Sequence, residues 1–518
     1  MPTQRQHGGA ALVPINLTAP GFAGLNTEAE ASILGQEWAT VLTNVVFDSA
    51  GRAAVRKGWA SQTATPVAGV VMRVHEFRQA DGSTETIFST DADIFSGQAA
   101  PSSIEGTLGI TEGNIKFVDL NDQCIALGTG TSSNPSIYTG TGTFTTVTVN
   151  SGTAPTGTIG TAAYGRLWCL DQDGHTIRYS ALLDPTRWDS ADGGGAIDMS
   201  QVWPSGQDVV TAIEEFAGDL VIFGKHNIVI WTDGQGSDLG INPTVMYVSD
   251  TVPGVGCVSQ FALCRAKGDL WFLSSSGVQT LNRALQNKTT PTNNVSRNVQ
   301  SNVLAYLGQE ADNDDITMVH SPIEDFVLVI FPQSNKVVCF DTRMQMQDGS
   351  FRVSEWSTAL QTAAYFIGDR ELYGALTTTV GEICKYSGYD DDGAAYDFSY
   401  ASGWLDFGEM NGYLKFIKRL TSFVFIQSET TINYTLQYDF STVPFSVPID
   451  VGGSASGGEF SVGEFNIAEF GGGVSLQLLS IPGKGNGQYV KVGCNLGTAS
   501  ADFALQQINL YAKIGRIA

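Results

Sequence analysis

The sequence predicts an all-β protein: a β-propeller with an additional C-terminal antiparallel β-domain and an extended N-terminal arm. Three observations lead there. The first is the stretch AYGRLWCLDQDGHTIRYSALLDPTRW, residues 163–188. It holds a short apolar run (Arg166–Leu170), a polar turn ending in Asp173-Gly174 and a second β-rich run (Thr176–Ser180), which together are a hairpin signal. The second is recurrence. LVIFGKHNIVIW opens at Leu220, LWFLSSSGVQTL at Leu270, VLVIFPQSNKVVCF at Val327 and LYGALTTTVGEICKY at Leu372, with weaker copies from Glu85 and Cys124. A hairpin recurring every 45–57 residues leaves room for two further strands per unit, and four-stranded units at that period mark propeller blades. The third is composition: 59 glycines in 518 residues, 42% hydrophobic residues and little helical periodicity, which suits many short strands and turns. A large β-sandwich, or two, is the competing reading.

In chain order, residues 1–26 carry Pro2, Pro14 and Pro20 and little periodicity. They read as an extended arm that must lie on something to be ordered. Residues 27–47 offer one helical face, through Leu34, Trp38 and Leu42, which Gly35 weakens. A hairpin follows: a strand through Val45, Val46 and Phe47, a turn at 48–51 and a return strand to Trp59. The propeller is expected over 27–400. Its longest connector, a Thr/Gly-rich insertion at about 128–160, reads as a strand-and-turn ribbon because Tyr138, Phe144, Val147 and Val149 punctuate it. Asn294–Leu307 is the clearest helix, with Val295, Val299, Val303 and Leu307 on one stripe.

Composition shifts near Gly403. Beyond it Phe423, Phe425, Ile432, Tyr434, Leu436 and Tyr438 fall at period-two positions within their runs, which puts a separate antiparallel β-domain at 401–518. Inside it, GGSASGGEFSVGEFNIAEFGGG carries Phe460, Phe465 and Phe470, each behind a glutamate. It is either an exposed loop that packs on a neighbour or a self-packed Ω-loop.

The 52 acidic and 28 basic residues give a formal charge of −24. That balance lacks the basic footprint of a nucleic-acid reader, although solubility alone also explains it. Seven cysteines (Cys124, Cys169, Cys257, Cys264, Cys339, Cys384, Cys494) show no CxxC spacing, and several fall in expected strands. This fits a reduced compartment and no metal site. The opening MPTQRQHGGAALVPINLTAPGF has no apolar signal core, and no run approaches ~18 apolar residues, so neither leader nor membrane span is expected and synthesis is expected in a cytoplasm.

No catalytic constellation stands out: there is no HExxH, no GxSxG elbow and no P-loop. The five histidines (His7, His75, His175, His226, His320) lie far apart in sequence. Asp390-Asp391-Asp392 could bind a cation through oxygens, but a solvated turn is the simpler reading. LDQDGHTIRY has the outline of the Asp-box hairpin of sialidase propellers without its terminal Trp, so Asp171 and Asp173 read as turn formers. The Asn-x-Ser/Thr sites at Asn16, Asn287, Asn294 and Asn433 mean little without a secretion signal. No catalytic, cofactor-binding or metal-binding residue is therefore assigned, and no cofactor is expected.

The opening GFAGLNTEAE…TNVVFDSAGRAAVRKGW, the stretch AYGRLWCLDQDGHTIRYSALLDPTRWD with AIDMS after it, FAGDLVIFGKHNIVIW and the closing GWLDFGE…KFIKRL resemble the tail nozzle proteins of short-tailed bacteriophages. That family is also called tail tubular protein B or packaged-DNA stabilisation protein. The Thr-rich insertion at 128–160 departs from it. The resemblance implies a β-propeller with additional β-domains and no catalytic residues. It further implies a homo-oligomer, a hexameric ring below the portal and adaptor rings, that retains packaged DNA and conducts it during ejection. The expected partners are copies of the chain, the tail adaptor ring, tail fibres or spikes, and passing double-stranded DNA without specific binding. The expected location is the virion tail, assembled in the bacterial host cytoplasm. An acidic wall suits a conduit, because each basic contact to phosphate adds a counterion-release gain that would retard the DNA. KFIKRL, with Lys415, Lys418 and Arg419, is the densest basic cluster. It is expected to meet an acidic patch on a neighbouring subunit, or else to be a solvated strand end. The alternative function is a carbohydrate-binding or glycoside-hydrolysing β-propeller (lectin, sialidase-like or tail spike), which as an enzyme needs a carboxylate pair across a pocket.

Overall fold

Left-handed dipeptide turns set the period of the chain. Asn121-Asp122, Tyr164-Gly165, Ala217-Gly218 and Lys267-Gly268 have positive φ at both positions. This is the type I′ geometry, whose twist matches that of the strands it joins. Each turn links the first two strands of a blade. The computed structural model describes residues 12–17, 22–110, 113–129, 134–233, 243–286, 294–407, 411–426, 428–452, 475–498 and 502–517.

Contacts divide the chain into two compact units, one of residues 60–351 and 358–386, the other of 1–59, 352–357 and 387–518. The first is the β-propeller. Its first blade is Val71–Arg78, Thr84–Thr90, Ile94–Ser96 and Ser102–Ser103. The second is Lys116–Leu120, Gln123–Leu127, Ser136–Tyr138 and Thr145–Thr146, so the Thr-rich insertion supplies outer strands. The third is Gly160–Ala163, Arg166–Leu170, Thr176–Tyr179 and Gly195–Asp198; the fourth is Val210–Phe216, Asp219–Gly224, Asn227–Asp233 and Met246–Pro253. The fifth has three strands, Leu263–Ala266, Asp269–Ser274 and Gly277–Thr280. The last is Leu360–Phe366, Glu371–Leu376 and Cys384–Tyr386, with Trp59–Ser61 added at its outer edge. Between these last two stand the antiparallel strands Thr317–Ser321, Phe326–Phe331 and Lys336–Gln345.

Every copy of the recurring hairpin is the second and third strand of such a unit. Trp168 faces Tyr179, Leu220 faces Trp231 and Trp271 faces Thr280 in three successive blades. The apolar pair buries both faces because each sheet packs between two neighbours. The third blade meets the fourth through Trp168, Tyr179, Val210 and Leu220. The fourth meets the fifth through Phe223 and Phe272, whose rings are 5.1 Å apart. Trp271 carries the packing on to Phe340, Phe326 on to Tyr386, and Phe366 and Tyr373 back to Val74 and Phe88 of the first blade. All seven cysteines are free, and six are buried in these cores or in that of the other unit.

The second unit is built on two facing sheets. One orders Ser475–Pro482, Tyr413–Ile426, Phe503–Ile517, Ala53–Val55 and Val45–Phe47. The other orders Trp38–Thr43, Tyr396–Ser402, Val490–Thr498, Thr430–Tyr438 and Phe445–Val451. Phe398 of one meets Phe503 of the other, ring centroids 5.0 Å apart. Within the stretch expected to be an arm, Val13–Leu17 is a strand paired with Ile508–Ala512, and it buries Ile15 and Leu17. The hairpin expected up to Trp59 forms over 45–55, with Trp59 in a separate strand, and its turn is closed by Asp48, which accepts from the Ala50 and Arg52 amides.

Two local expectations are corrected. Leu34, Trp38 and Leu42 do not share a helix. Asn26 Oδ1 accepts from the Glu28 and Ala29 amides to hold a turn, and the β-branched Trp38–Thr43 run pairs with Tyr396–Ser402. The helix expected at Asn294–Leu307 shortens to Gln300–Leu307. Its first residues are taken by a strand instead: the Val295 amide donates to the Val278 carbonyl, and Ser296 Oγ accepts from the Val278 amide. Val424 and Ile426 are buried while Phe423 and Phe425 are half-buried on the opposite face. The Glu-Phe loop at 452–473, apart from Gly452, lies outside the described residues, as does His7.

Candidate functional site

The first strands of five units converge on the propeller axis, where Arg73, Lys116, Phe261, Thr317 and Thr362 line a cavity of about 180 Å³. Long-range bonds hold this lining together. Arg73, 5% exposed, stacks over Phe261 at 3.8 Å, donates through Nη1 to Thr317 Oγ1 at 2.8 Å and donates through Nη2 to the Asp314 carbonyl. The neighbouring Gln260 donates to the Thr158 carbonyl at 2.8 Å, and its Oε1 accepts from the Gly160 amide. Ser259 Oγ donates to Asp314 at 2.6 Å, and Asn114 donates to Asp315 at 2.9 Å. Burial lowers the Arg73 guanidinium to about 10 against the pull of Asp314, Asp315 and Asp312, and burial likewise lowers the Lys116 amine against Glu214. Burial raises the Asp314 carboxyl, opposed by the Ser259 hydrogen bond. The axial lining is cationic in a chain that is strongly anionic overall. Sequence reading missed this set, because its members lie up to 289 residues apart.

The residues considered from sequence fall into structural roles. Asp173 accepts from the His175 and Thr176 amides and from Thr176 Oγ1, while Asp171 pairs with Arg178 at 2.7 Å. Both hold the hairpin turn. In the 390–392 run, Asp391 pairs with Arg56 at 2.6 Å and Asp390 Oδ1 accepts from the Gly393 amide, so this is a turn with one carboxylate neutralised. His226 gives its amide to Asp208, and His320 is half-buried, with burial and Lys267 lowering its imidazole. His75 is different. It lies beside Asp119 and Cys124, and these are the one group of metal-ligating side chains so gathered among the described residues.

The basic cluster divides. Lys415 is buried, and its Nζ donates to the Gln488 carbonyl at 2.6 Å. Burial lowers its amine, opposed by Asp406 and Asp439. The pairing with Phe503–Ile517 slips between Ile417 and Arg419, a bulge that leaves Lys418 and the adjacent Arg419 both exposed. The expectation that all three face a neighbouring subunit therefore reduces to Lys418 and Arg419.

Solved structures are similar to the chain only at low likeness. The AfRom2 CNH domain has 10% identity and a TM-score of 0.35, covering 63% of this chain and 98% of that one. PorZ, a surface component of the type-IX secretion system of Porphyromonas gingivalis, has 11% identity and a TM-score of 0.33, covering 76% and 46%. An auxiliary nutrient binding protein from Bacteroides thetaiotaomicron has 9% identity and a TM-score of 0.31, covering 72% and 76%. These likenesses carry no argument about function. No curated protein sequence matches. A family model described as Bacteriophage P22 Gp10, beta-propeller, matches residues 107–385, more than half of the 518 residues and almost wholly within the blades. The chain belongs to the bacteriophage P22 Gp10 β-propeller family, and with it to the structural components of the phage tail.

Proposed function

We propose that the chain is a structural, non-enzymatic subunit of a short-tailed phage nozzle. Copies assemble into a ring, hexameric by family resemblance, that extends the portal and adaptor channel, retains packaged DNA and conducts it during ejection. The observation that carries this reading is the family match over 107–385. A duplex whose major groove alone is about 12 Å wide does not fit the cavity of about 180 Å³ beside Arg73 and Phe261, which favours a path outside the propeller. In this reading DNA runs along a wall shared by several subunits. The charge of −24 suits such a wall, since repelled phosphates keep the duplex centred. The adaptor ring and the fibres or spikes are its neighbours in this reading, and assembly takes place in the host cytoplasm. No helix among the described residues is long and apolar enough to cross a membrane.

Electron microscopy of the purified chain and of the particle that contains it tests the reading. A closed ring coaxial with the portal is the expected result, and a strictly monomeric chain absent from the tail axis would sink it. A second expectation concerns Lys418 and Arg419. Reversing both to Glu should weaken ring formation more at low salt than at high, because the added repulsion is screened over ~10 Å at ~0.1 M. Unchanged assembly at low ionic strength would remove these two residues from the subunit contact.

A further inference from the structure

We propose that His75, Asp119 and Cys124 form a binding site for a divalent transition-metal ion of the zinc class, which clips the first blade to the second. The placement begins with a turn. The two-residue Asn121-Asp122 hairpin makes Asp119 and Cys124 facing partners across the first two strands of the second blade. Facing pairs project to the same side of a sheet. The opposing surface is the inner strand of the first blade, and it presents His75. Its Nε2 lies 2.8 Å from Asp119 Oδ1, and the three donor atoms all fall within 4.8 Å of one another.

One thiol, one imidazole and one carboxylate are the donor types that zinc takes, at about 2.0–2.3 Å from the ion. A tetrahedral ion at those lengths sets its ligands roughly 3.3–4 Å apart. The His75–Asp119 separation of 2.8 Å lies below that range and the others stay within 4.8 Å, so small side-chain shifts complete the set. The surroundings favour it. The His75 ring stacks on Phe117 with centroids 5.8 Å apart, which fixes its plane. Cys124 is fully buried in the apolar cluster of Phe77, Ile87 and Tyr138, while the His75 and Asp119 side chains keep 23% and 31% of their exposure. The site is therefore closed on its sulfur side and open on the other, where water can be the fourth ligand. The nearby Glu85 carboxylate is already engaged by Tyr138 Oη and Ser96 Oγ and does not compete. Burial, with Asp119 and Glu85, holds the Cys124 thiol protonated in the metal-free chain. Binding forms the metal–sulfur bond and releases that proton to solvent.

The test uses the full chain, stripped with a chelator and titrated with Co²⁺ alone. The expected result is a thiolate-to-cobalt charge-transfer band and the visible bands of a tetrahedral ion, saturating at one equivalent and bleached by Zn²⁺. Cys124→Ser should abolish the charge-transfer band. Asp119→Asn, at a partly exposed position that leaves the core intact, should weaken cobalt binding more than tenfold and remove the rise in melting temperature that Zn²⁺ gives the native chain. Cobalt binding without a thiolate band, or a band that survives Cys124→Ser, would overturn the proposal. So would equal affinity in Asp119→Asn.

Discussion

Replacing Arg56 by alanine is expected to cost about 3–5 kcal/mol, the penalty for leaving one member of a buried ion pair behind. Arg56 has no exposed surface. Its two terminal nitrogens reach the two Asp391 oxygens at 2.8 and 2.6 Å, and Nε donates to Asn44 Oδ1 at 3.1 Å. Nη1 also donates to the Lys57 carbonyl, and the guanidinium lies 3.8 Å from the Tyr396 ring centroid. Asn44, held at φ 56, spreads the network by donating to Ser357 Oγ and the Asp397 carbonyl. Truncation strands the Asp391 carboxylate and opens a cavity between the Tyr396 and Trp356 rings. Arg56→Lys should recover only part of the loss, because an ammonium keeps the charge but not the two-pronged geometry. Urea unfolding of the three proteins measures this. A midpoint for Arg56→Ala within error of the native chain would show that the pair contributes nothing net.

Trp168→Ala should destabilise the propeller by a similar amount, about 3–5 kcal/mol for a large aromatic core truncation. The indole is fully buried between the third and fourth blades. Its Nε1 donates to the Ala163 carbonyl at 3.1 Å, and its ring lies 5.1 Å from Tyr179. The void left behind cannot collapse easily, because strands on both sides are fixed by their own ladders. Trp404→Ala is the control. That ring is half-buried against Phe440, so its truncation should cost far less. Comparable losses for the two would mean that the inter-blade cores do not dominate stability.

The blades were legible because their information is local. An apolar run, a polar turn and a second β-rich run lie within about fifteen residues, and each copy restates the pattern. The glycines Gly218 and Gly268 close the turns that lead into the second strands at Asp219 and Asp269. Elsewhere the decisive partners are remote. Trp38–Thr43 reads as helix or strand until Tyr396–Ser402 is beside it, and the Val295–Val299 stripe is claimed by Val278 before a helix can start there. Phe423 and Phe425 alternate correctly, but period two does not say which face is inside when both are apolar. The axial lining was invisible because Arg73, Phe261 and Thr317 have no shared local signature. Asp119 and Cys124 were within reach, since a two-residue turn at 121–122 makes them opposite each other. Adding His75 required the neighbouring blade.

The outer edge of the last blade is supplied by Trp59–Ser61, lying beside Cys384–Tyr386, and the Gln62 amide donates to the Ile383 carbonyl at 2.8 Å. This makes time a component of the fold. A ribosome adding about 5–20 residues per second needs on the order of 16–65 s to travel from one strand of that pair to the other. Throughout that interval the early strand has no partner, and unpaired edges are where nascent β-proteins meet one another. Strands so distant in sequence also pair slowly. A ribosome that stalls before residue 384 leaves an open crescent with two bare edges, so synthesis past Tyr386 is the event that lets the propeller close.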